Sequence, residues 1–120
     1  MPFEVKQEKQ YPKPAAAVFE AAMKAVSALG GKVLKQNPTN GEFEVTFDKK
    51  VLGKVLGDRT QMAAKVTAQG AESSGIAIEI YPLDAIGRKL MFGARKGVSE
   101  TVATWFLLAV SWFGLTSNSG

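Results

Sequence analysis

The sequence predicts an α+β fold of two layers, in which helices cover one face of a mostly antiparallel sheet. Three observations support this prediction: the middle of the chain alternates apolar and polar residues, the two ends have helical periodicity, and turn-forming residues separate the strands. At 120 residues the chain is long enough to bury its own hydrophobic core. We therefore expect residues 1–120 to form a single domain.

The clearest strand is EFEVTFD, residues 42–48, where Phe43, Val45 and Phe47 share one face while glutamate and threonine occupy the other. Alternation with a period of two is typical of a sheet with one buried face. The same criterion, together with turn chemistry at NPTNG (37–41) and QGAESSG (69–75), predicts the other strands. They fall at residues 3–10, 32–36, 59–68, 76–81 and 88–92.

Two helices are predicted, one near each end of the chain. The first runs from Pro14, since proline suits a first helical turn, to Leu29, where Gly30-Gly31 favours a stop. The second covers residues 99–115, and its broad apolar face is predicted to pack on the sheet. That face comprises Val102, Trp105, Phe106, Ala109, Trp112 and Phe113.

The second helix carries more apolar surface than one sheet face can cover. We expect Trp105 and Trp112 to be largely buried against the sheet. Leu107, Leu108 and Val110 lie outside the predicted face, so the first helix, another subunit or lipid must cover them. This apolar strip supports one hypothesis of function, a structural or assembly protein that forms homo-oligomers.

The order of elements resembles a known superfamily. A strand that runs into a proline-led helix (VKQEKQYPKPAAAVFEAAMKAV), antiparallel strands and an aromatic-rich closing helix are similar to the helix-grip superfamily of START and polyketide-cyclase-like domains. The resemblance implies that a lipid or other apolar molecule is held between the sheet and the last helix. With the one-faced sheet and the aromatic closing helix, it supports our leading hypothesis, non-catalytic binding of an apolar or amphipathic small molecule or lipid. Six apolar side chains would line such a pocket; the alternative is that they are simply part of the hydrophobic core. They are Phe43, Phe47, Met62, Ile78, Trp105 and Trp112.

Basic residues exceed acidic ones, 15 to 11, and the formal net charge is +4. Four of the basic residues precede the predicted second helix, whose N-terminal N–H groups would favour an anion. We therefore expect a bound amphiphile to carry an anionic head near them, although exposed basic residues are also simply solubilising. The four residues are Arg88, Lys89, Arg95 and Lys96.

A second basic segment, KKVLGKVLGDR (49–59), combines lysines with apolar residues. Its glycine spacing does not match a phosphate-binding loop, and a hairpin tip or a loop over a cavity mouth is the simpler interpretation. Lysines beside apolar side chains also suggest peripheral contact with an anionic membrane. Nucleic acid is not an expected partner, because no aromatic stacking signature accompanies the charge.

Residue types limit the chemistry. The chain has no cysteine and no histidine, which excludes Ser/His/Asp and Cys/His catalysis and zinc sites built on those residues. Among the acidic residues near loops, Asp48, Asp58, Glu79 and Asp84, none forms a recognisable acid–base pair. We therefore assign no catalytic residue, cofactor or metal.

The chain shows no secretory or membrane-spanning pattern. Its first residues lack an apolar h-region, and the apolar run from Val102 to Leu115 is roughly 21 Å long as a helix, against the about 20 residues that a bilayer core requires. These features and the lack of cysteine fit a cytoplasmic protein.

Overall fold

The predicted α+β class is confirmed by the computed structural model, which describes residues 5–57, 59–83 and 97–116. In these ranges the strands are Val5–Tyr11 (β1), Lys32–Asn37 (β2), Glu42–Phe47 (β3), Lys50–Val51 (β4), Lys54–Val55 (β5), Arg59–Gly70 (β6) and Ser73–Leu83 (β7). The helices are Ala15–Ala28 (α1) and Val98–Thr116 (α2). The short strand predicted at residues 88–92 lies outside the described residues.

The main sheet contains five antiparallel strands in the order β1-β7-β6-β3-β2. Its register aligns Phe43 of β3 with Ala64 of β6, and Ala64 with Ile78 of β7. All three are buried, so they mark the inner face. The outer face is polar, as the alternation predicted: Glu79 lies there and its carboxylate is 3.8 Å from the ammonium of Lys6.

Both helices pack on the inner face and against each other. The ring of Phe43 is the centre of this arrangement, because it meets Phe19 of α1 edge-on at 5.7 Å between centroids and Phe106 of α2 at 6.3 Å. Phe43 and Phe106 are almost completely buried. One aromatic cluster therefore joins the sheet to both helices.

The hairpin between β6 and β7 is longer than its sequence indicated. Residues 69–75 were expected to form a turn, but β6 continues to Gly70 and β7 begins at Ser73. Pairing with β1 explains part of the difference: Tyr11 lies opposite Ser74, whose hydroxyl donates a 2.7 Å hydrogen bond to the Lys13 carbonyl. Neighbouring strands thus extend a segment whose own propensity favours a turn.

Helix α2 is turned about its axis relative to the sequence prediction. Trp112 was expected to be buried but is 64% exposed, so that prediction is wrong, and Trp105 is only partly buried against the core. Leu107 and Val110 are buried instead. The inward face consists of Val98, Ser99, Val102, Ala103, Phe106, Leu107 and Val110.

The cause of this rotation is the position of α1. Helix α2 packs against α1 and β1 as well as β7, and a helix in contact with three elements buries the side that faces all of them. Leu107 and Val110 are therefore covered within the chain. Of the strip that supported the assembly hypothesis, Leu108 is exposed, at 60%.

The segment 49–57 forms a second, two-stranded sheet. Lys50 pairs with Val55 and Val51 with Lys54, so Leu52 and Gly53 make a two-residue turn. We call residues 49–56 the β4–β5 hairpin. Val51 is buried in the core while Leu52 and Val55 are exposed, which gives the hairpin one anchored and one exposed side.

Among the described residues, neither helix is long and apolar enough to cross a bilayer.

Candidate functional site

The four sheet residues predicted to line a pocket share the inner face. Phe43, Phe47, Met62 and Ile78 are each at most 3% exposed and belong to one core cluster. The Phe19 and Phe106 rings pack directly on Phe43, so rings occupy the space beside it. A ligand-lining role for these four side chains stays a prediction.

The other predicted site residues are placed differently. Trp105 packs against the core from its rim, and Trp112 lies mostly outside it. The basic residues expected to hold an anionic head, Arg88, Lys89, Arg95 and Lys96, lie outside the described residues. Their role also stays a prediction.

A separate cleft lies where the end of β1 meets both helices. It encloses about 300 Å³, at the lower end of the range of about 300–1,000 Å³ usual for small-molecule sites. Val18 and Ala21 of α1 form one wall and Val110 and Gly114 of α2 form another, while the end of β1, with Lys9 and Tyr11, contributes to the rest of the lining. We call this space the β1–α1–α2 cleft.

Small side chains account for the space in the cleft. Gly114 has no side chain, and a Cβ atom placed on it would lie 3.9 Å from the Cβ atom of Ala21. Two small residues on facing helices would normally let the helices close together. Here they do approach closely, since 3.9 Å is an ordinary van der Waals distance, and the cleft lies beside this approach, bordered by Val18 and Val110.

Two of the residues that line the cleft carry hydroxyl groups, Tyr11 and Ser111. The Tyr11 hydroxyl donates a 3.4 Å hydrogen bond to the Leu107 carbonyl of α2. The Ser111 Oγ is buried, and although it lies near Tyr11 it has no hydrogen-bond partner of good geometry. Ser111 lines the cleft, but its Oγ is shielded from solvent, so a polar ligand atom would reach it only after the serine side chain rotates.

The cleft also has a positive edge. The Nζ atom of Lys9 lies 5.6 Å from the centroid of the Tyr11 ring, a cation–π distance, and Lys13 lies at the same edge. No acidic residue is among the lining residues that the structure describes. The electrostatic preference of the cleft is therefore for a neutral or anionic ligand.

Ionisation of the Tyr11 phenol in the cleft is coupled to folding. Burial raises the pKa of its phenol above the ordinary value of 10.0, and the nearby Ser111 hydroxyl offsets part of the rise. Because the pKa of Tyr11 is higher in the folded state than in the unfolded state, Tyr11 stabilises the fold at pH values below its ordinary pKa. This contribution is lost as the pH rises through the folded-state pKa.

We expect the free energy of unfolding to fall as the pH rises above about 10, because the unfolded chain can ionise Tyr11 freely and the fold cannot. Tyr11→Phe should flatten that part of the profile. Urea unfolding of both proteins from neutral to alkaline pH measures the difference. Parallel profiles for wild type and variant would show that Tyr11 does not titrate with folding.

Sequence reasoning did not find this cleft. Its residues come from three elements far apart in the chain, and none belongs to a motif. The available signal was Ser111, a polar residue that interrupts the apolar run of the second helix, but periodicity placed it on the solvent side.

The described residues contain no cluster of three or more acidic side chains that could hold a metal ion.

Comparison with known proteins adds evidence at the level of fold. No family model matches the chain, and no curated protein sequence does. Among solved structures, XoxI from Bacillus cereus superposes with a TM-score of 0.63 at 5% identity, covering 98% of this chain and 99% of that one. Ara h 8.0201 superposes with a TM-score of 0.60 at 12% identity, covering 94% and 97%.

A third similar structure is the di-domain ARO/CYC StfQ from the steffimycin biosynthetic pathway, with a TM-score of 0.61 at 8% identity. It covers 88% of this chain, but this chain spans only 43% of StfQ. Together with the closing helix across a one-sided antiparallel sheet, these likenesses confirm the fold that the resemblance predicted: the chain has a helix-grip fold.

Proposed function

We propose that the protein binds a small amphipathic molecule in the β1–α1–α2 cleft without transforming it. The observation that carries this proposal is a mostly apolar cleft of about 300 Å³ between β1 and the two helices, with Lys9 and Lys13 among its lining residues. The apolar body of the ligand would lie between the helices, and its polar group would lie toward Lys9 and Lys13.

The charge at the edge refines the ligand class. Lys9 and Lys13 line the cleft beside Tyr11, so an acidic group on the ligand would be attracted to this end. The attraction is modest, because both lysines are partly exposed and such pairs contribute about 0.2–1 kcal/mol. Burial of the apolar part, at about 25 cal/mol per Å², would supply most of the affinity.

The fold of the neighbours is consistent with this role. StfQ is a di-domain ARO/CYC protein from the steffimycin biosynthetic pathway. The proposal nevertheless depends on the cleft of this chain, since identities of 5–12% support a common fold and nothing finer.

Filling the cleft should abolish binding. Gly114→Leu places a branched side chain between the helices, and we expect affinity for a naphthylamine dye to fall at least about tenfold, since the space for the ring system is lost. Fluorescence titration with N-phenyl-1-naphthylamine (neutral) and its sulfonate analogue ANS (anionic) measures this. Thr104→Leu adds the same side chain to an exposed position of α2 and should leave both affinities unchanged.

The two dyes also test the charge preference. Lys9→Gln should weaken ANS binding up to about fivefold and leave the neutral dye unaffected, whereas Lys32→Gln, at an exposed position of β2, should affect neither. The proposal is refuted if wild-type protein binds neither dye, or if Gly114→Leu binds both as wild type does while remaining folded.

A further inference from the structure

We infer that the β4–β5 hairpin docks on the surface of an anionic lipid bilayer. Its tip presents two apolar side chains to solvent, Leu52 at 64% and Val55 at 69% exposed. Lys50 and Lys54 are exposed beside them. Apolar side chains surrounded by ammonium groups are the usual composition of a surface that enters the headgroup region of a negatively charged membrane.

The conformation of Leu52 is the strongest observation. Its φ is +53° and that of Gly53 is +80°, so both turn residues are left-handed, as in the two-residue hairpin turn that normally carries Asn-Gly or Asp-Gly. A leucine in this conformation is strained, because its Cβ approaches the following carbonyl. The side chain is 64% exposed and is not part of the core cluster of the described residues, so packing within that part of the chain offsets little of the strain. Strain of this kind is characteristic of functional positions.

The hairpin is held firmly enough to present this tip. Val51 is only 1% exposed and belongs to the core cluster, and Leu56 is partly buried against it. The Leu56 N–H also donates a 2.6 Å hydrogen bond to the Lys49 carbonyl, which closes the base of the hairpin. Leu52 therefore projects from a fixed base, so that inserting it into a bilayer requires little additional ordering.

Charge determines which partner we favour. Lys49, Lys50 and Lys54 are all exposed, while the neighbouring Asp48 carboxylate accepts a 2.7 Å hydrogen bond from the Lys49 N–H. A nucleic-acid backbone would match the lysines but not two exposed aliphatic side chains. An anionic bilayer matches both features. This inference is independent of the β1–α1–α2 cleft.

Vesicle co-sedimentation tests the inference. Wild-type protein should bind vesicles of phosphatidylcholine mixed with phosphatidylserine, bind phosphatidylcholine alone much more weakly, and lose affinity as salt is added. Leu52→Asn should weaken binding about tenfold, and Lys54→Glu at least about fivefold. Leu34→Asn, at another exposed leucine (46% exposed) in edge strand β2, is the matched control and should bind normally.

Misfolding would not reproduce this pattern. Asparagine suits the left-handed turn position better than leucine, so Leu52→Asn should raise the melting temperature while it weakens vesicle binding. The inference is overturned if wild-type protein does not bind the mixed vesicles, if it binds both lipid compositions equally, or if Leu52→Asn and Leu34→Asn bind alike.

A fluorophore attached at one position shows which part of the protein contacts the bilayer. Since the chain has no cysteine, Leu52→Cys can carry an environment-sensitive fluorophore at one position. Its emission should shift to the blue on mixed vesicles. The same label at Glu72→Cys, in the turn at the opposite end of β6, should not shift. Equal shifts at both positions would refute docking through the hairpin.

Discussion

Phe106→Ala is expected to unfold the protein or lower its free energy of unfolding by about 3–5 kcal/mol, as truncations of fully buried aromatic residues usually do. Phe106 is 0% exposed, and its ring lies 6.3 Å from that of Phe43, which in turn meets Phe19 of α1. Its loss would leave a cavity where the sheet and both helices meet.

The matched control for this prediction is two residues away. Leu108→Ala removes an apolar side chain from the same helix at a position that is 60% exposed, and we expect a change within about 0.5 kcal/mol. Urea unfolding followed by circular dichroism measures both variants. Similar losses for Phe106→Ala and Leu108→Ala would mean that the inward face of α2 is assigned wrongly.

Sequence reasoning predicted the strands of the main sheet correctly and the orientation of α2 only in part. The strands were predictable because each inner position alternates strictly: Phe43, Val45 and Phe47 are all buried, as the period of two requires. A sheet with one apolar face and a helix near each end of the chain then leaves few architectures. The class followed from local pattern alone.

The orientation of α2 did not follow, because apolar residues occur almost all round it. Trp105 and Trp112 dominated the predicted face through their size, yet Trp112 is exposed and Leu107 and Val110, outside that face, are buried. The choice depends on a second contact, with α1 and β1, and periodicity in one helix contains no information about where another helix packs. The same limit hid the cleft, whose walls belong to α1 and α2 together.

The conformation of Leu52 was hidden for a different reason. Turn propensity assigns left-handed positions to glycine, asparagine and aspartate, so a leucine there is read as an ordinary strand or loop residue. Its exposure agrees with the hairpin tip predicted for this segment, but its positive φ appears only once the pairing of β4 with β5 is known. Departures from local preference are expected at functional positions, which is why this residue carries the membrane proposal.

A second large effect is expected at Gly41, which ends the β2–β3 turn. Its φ is +71°, and its carbonyl accepts a 2.8 Å hydrogen bond from the Val66 N–H of β6. A Cβ atom on Gly41 would overlap the backbone carbonyl oxygen of Val66. The backbone of a paired strand cannot move aside as a flexible side chain can. The β2–β3 hairpin would therefore have to separate from β6.

Gly41→Ala should therefore cost more than the about 1–2 kcal/mol of a left-handed alanine, because the overlap and the loss of the hydrogen bond to Val66 add to it. Gly53→Ala isolates the conformational part: its φ is +80°, and nothing lies within 4 Å of the added Cβ. In urea unfolding we expect Gly41→Ala to lose at least about twice as much free energy as Gly53→Ala. Equal losses would show that left-handed conformation alone, and not the close approach of β3 to β6, determines the requirement for glycine at position 41.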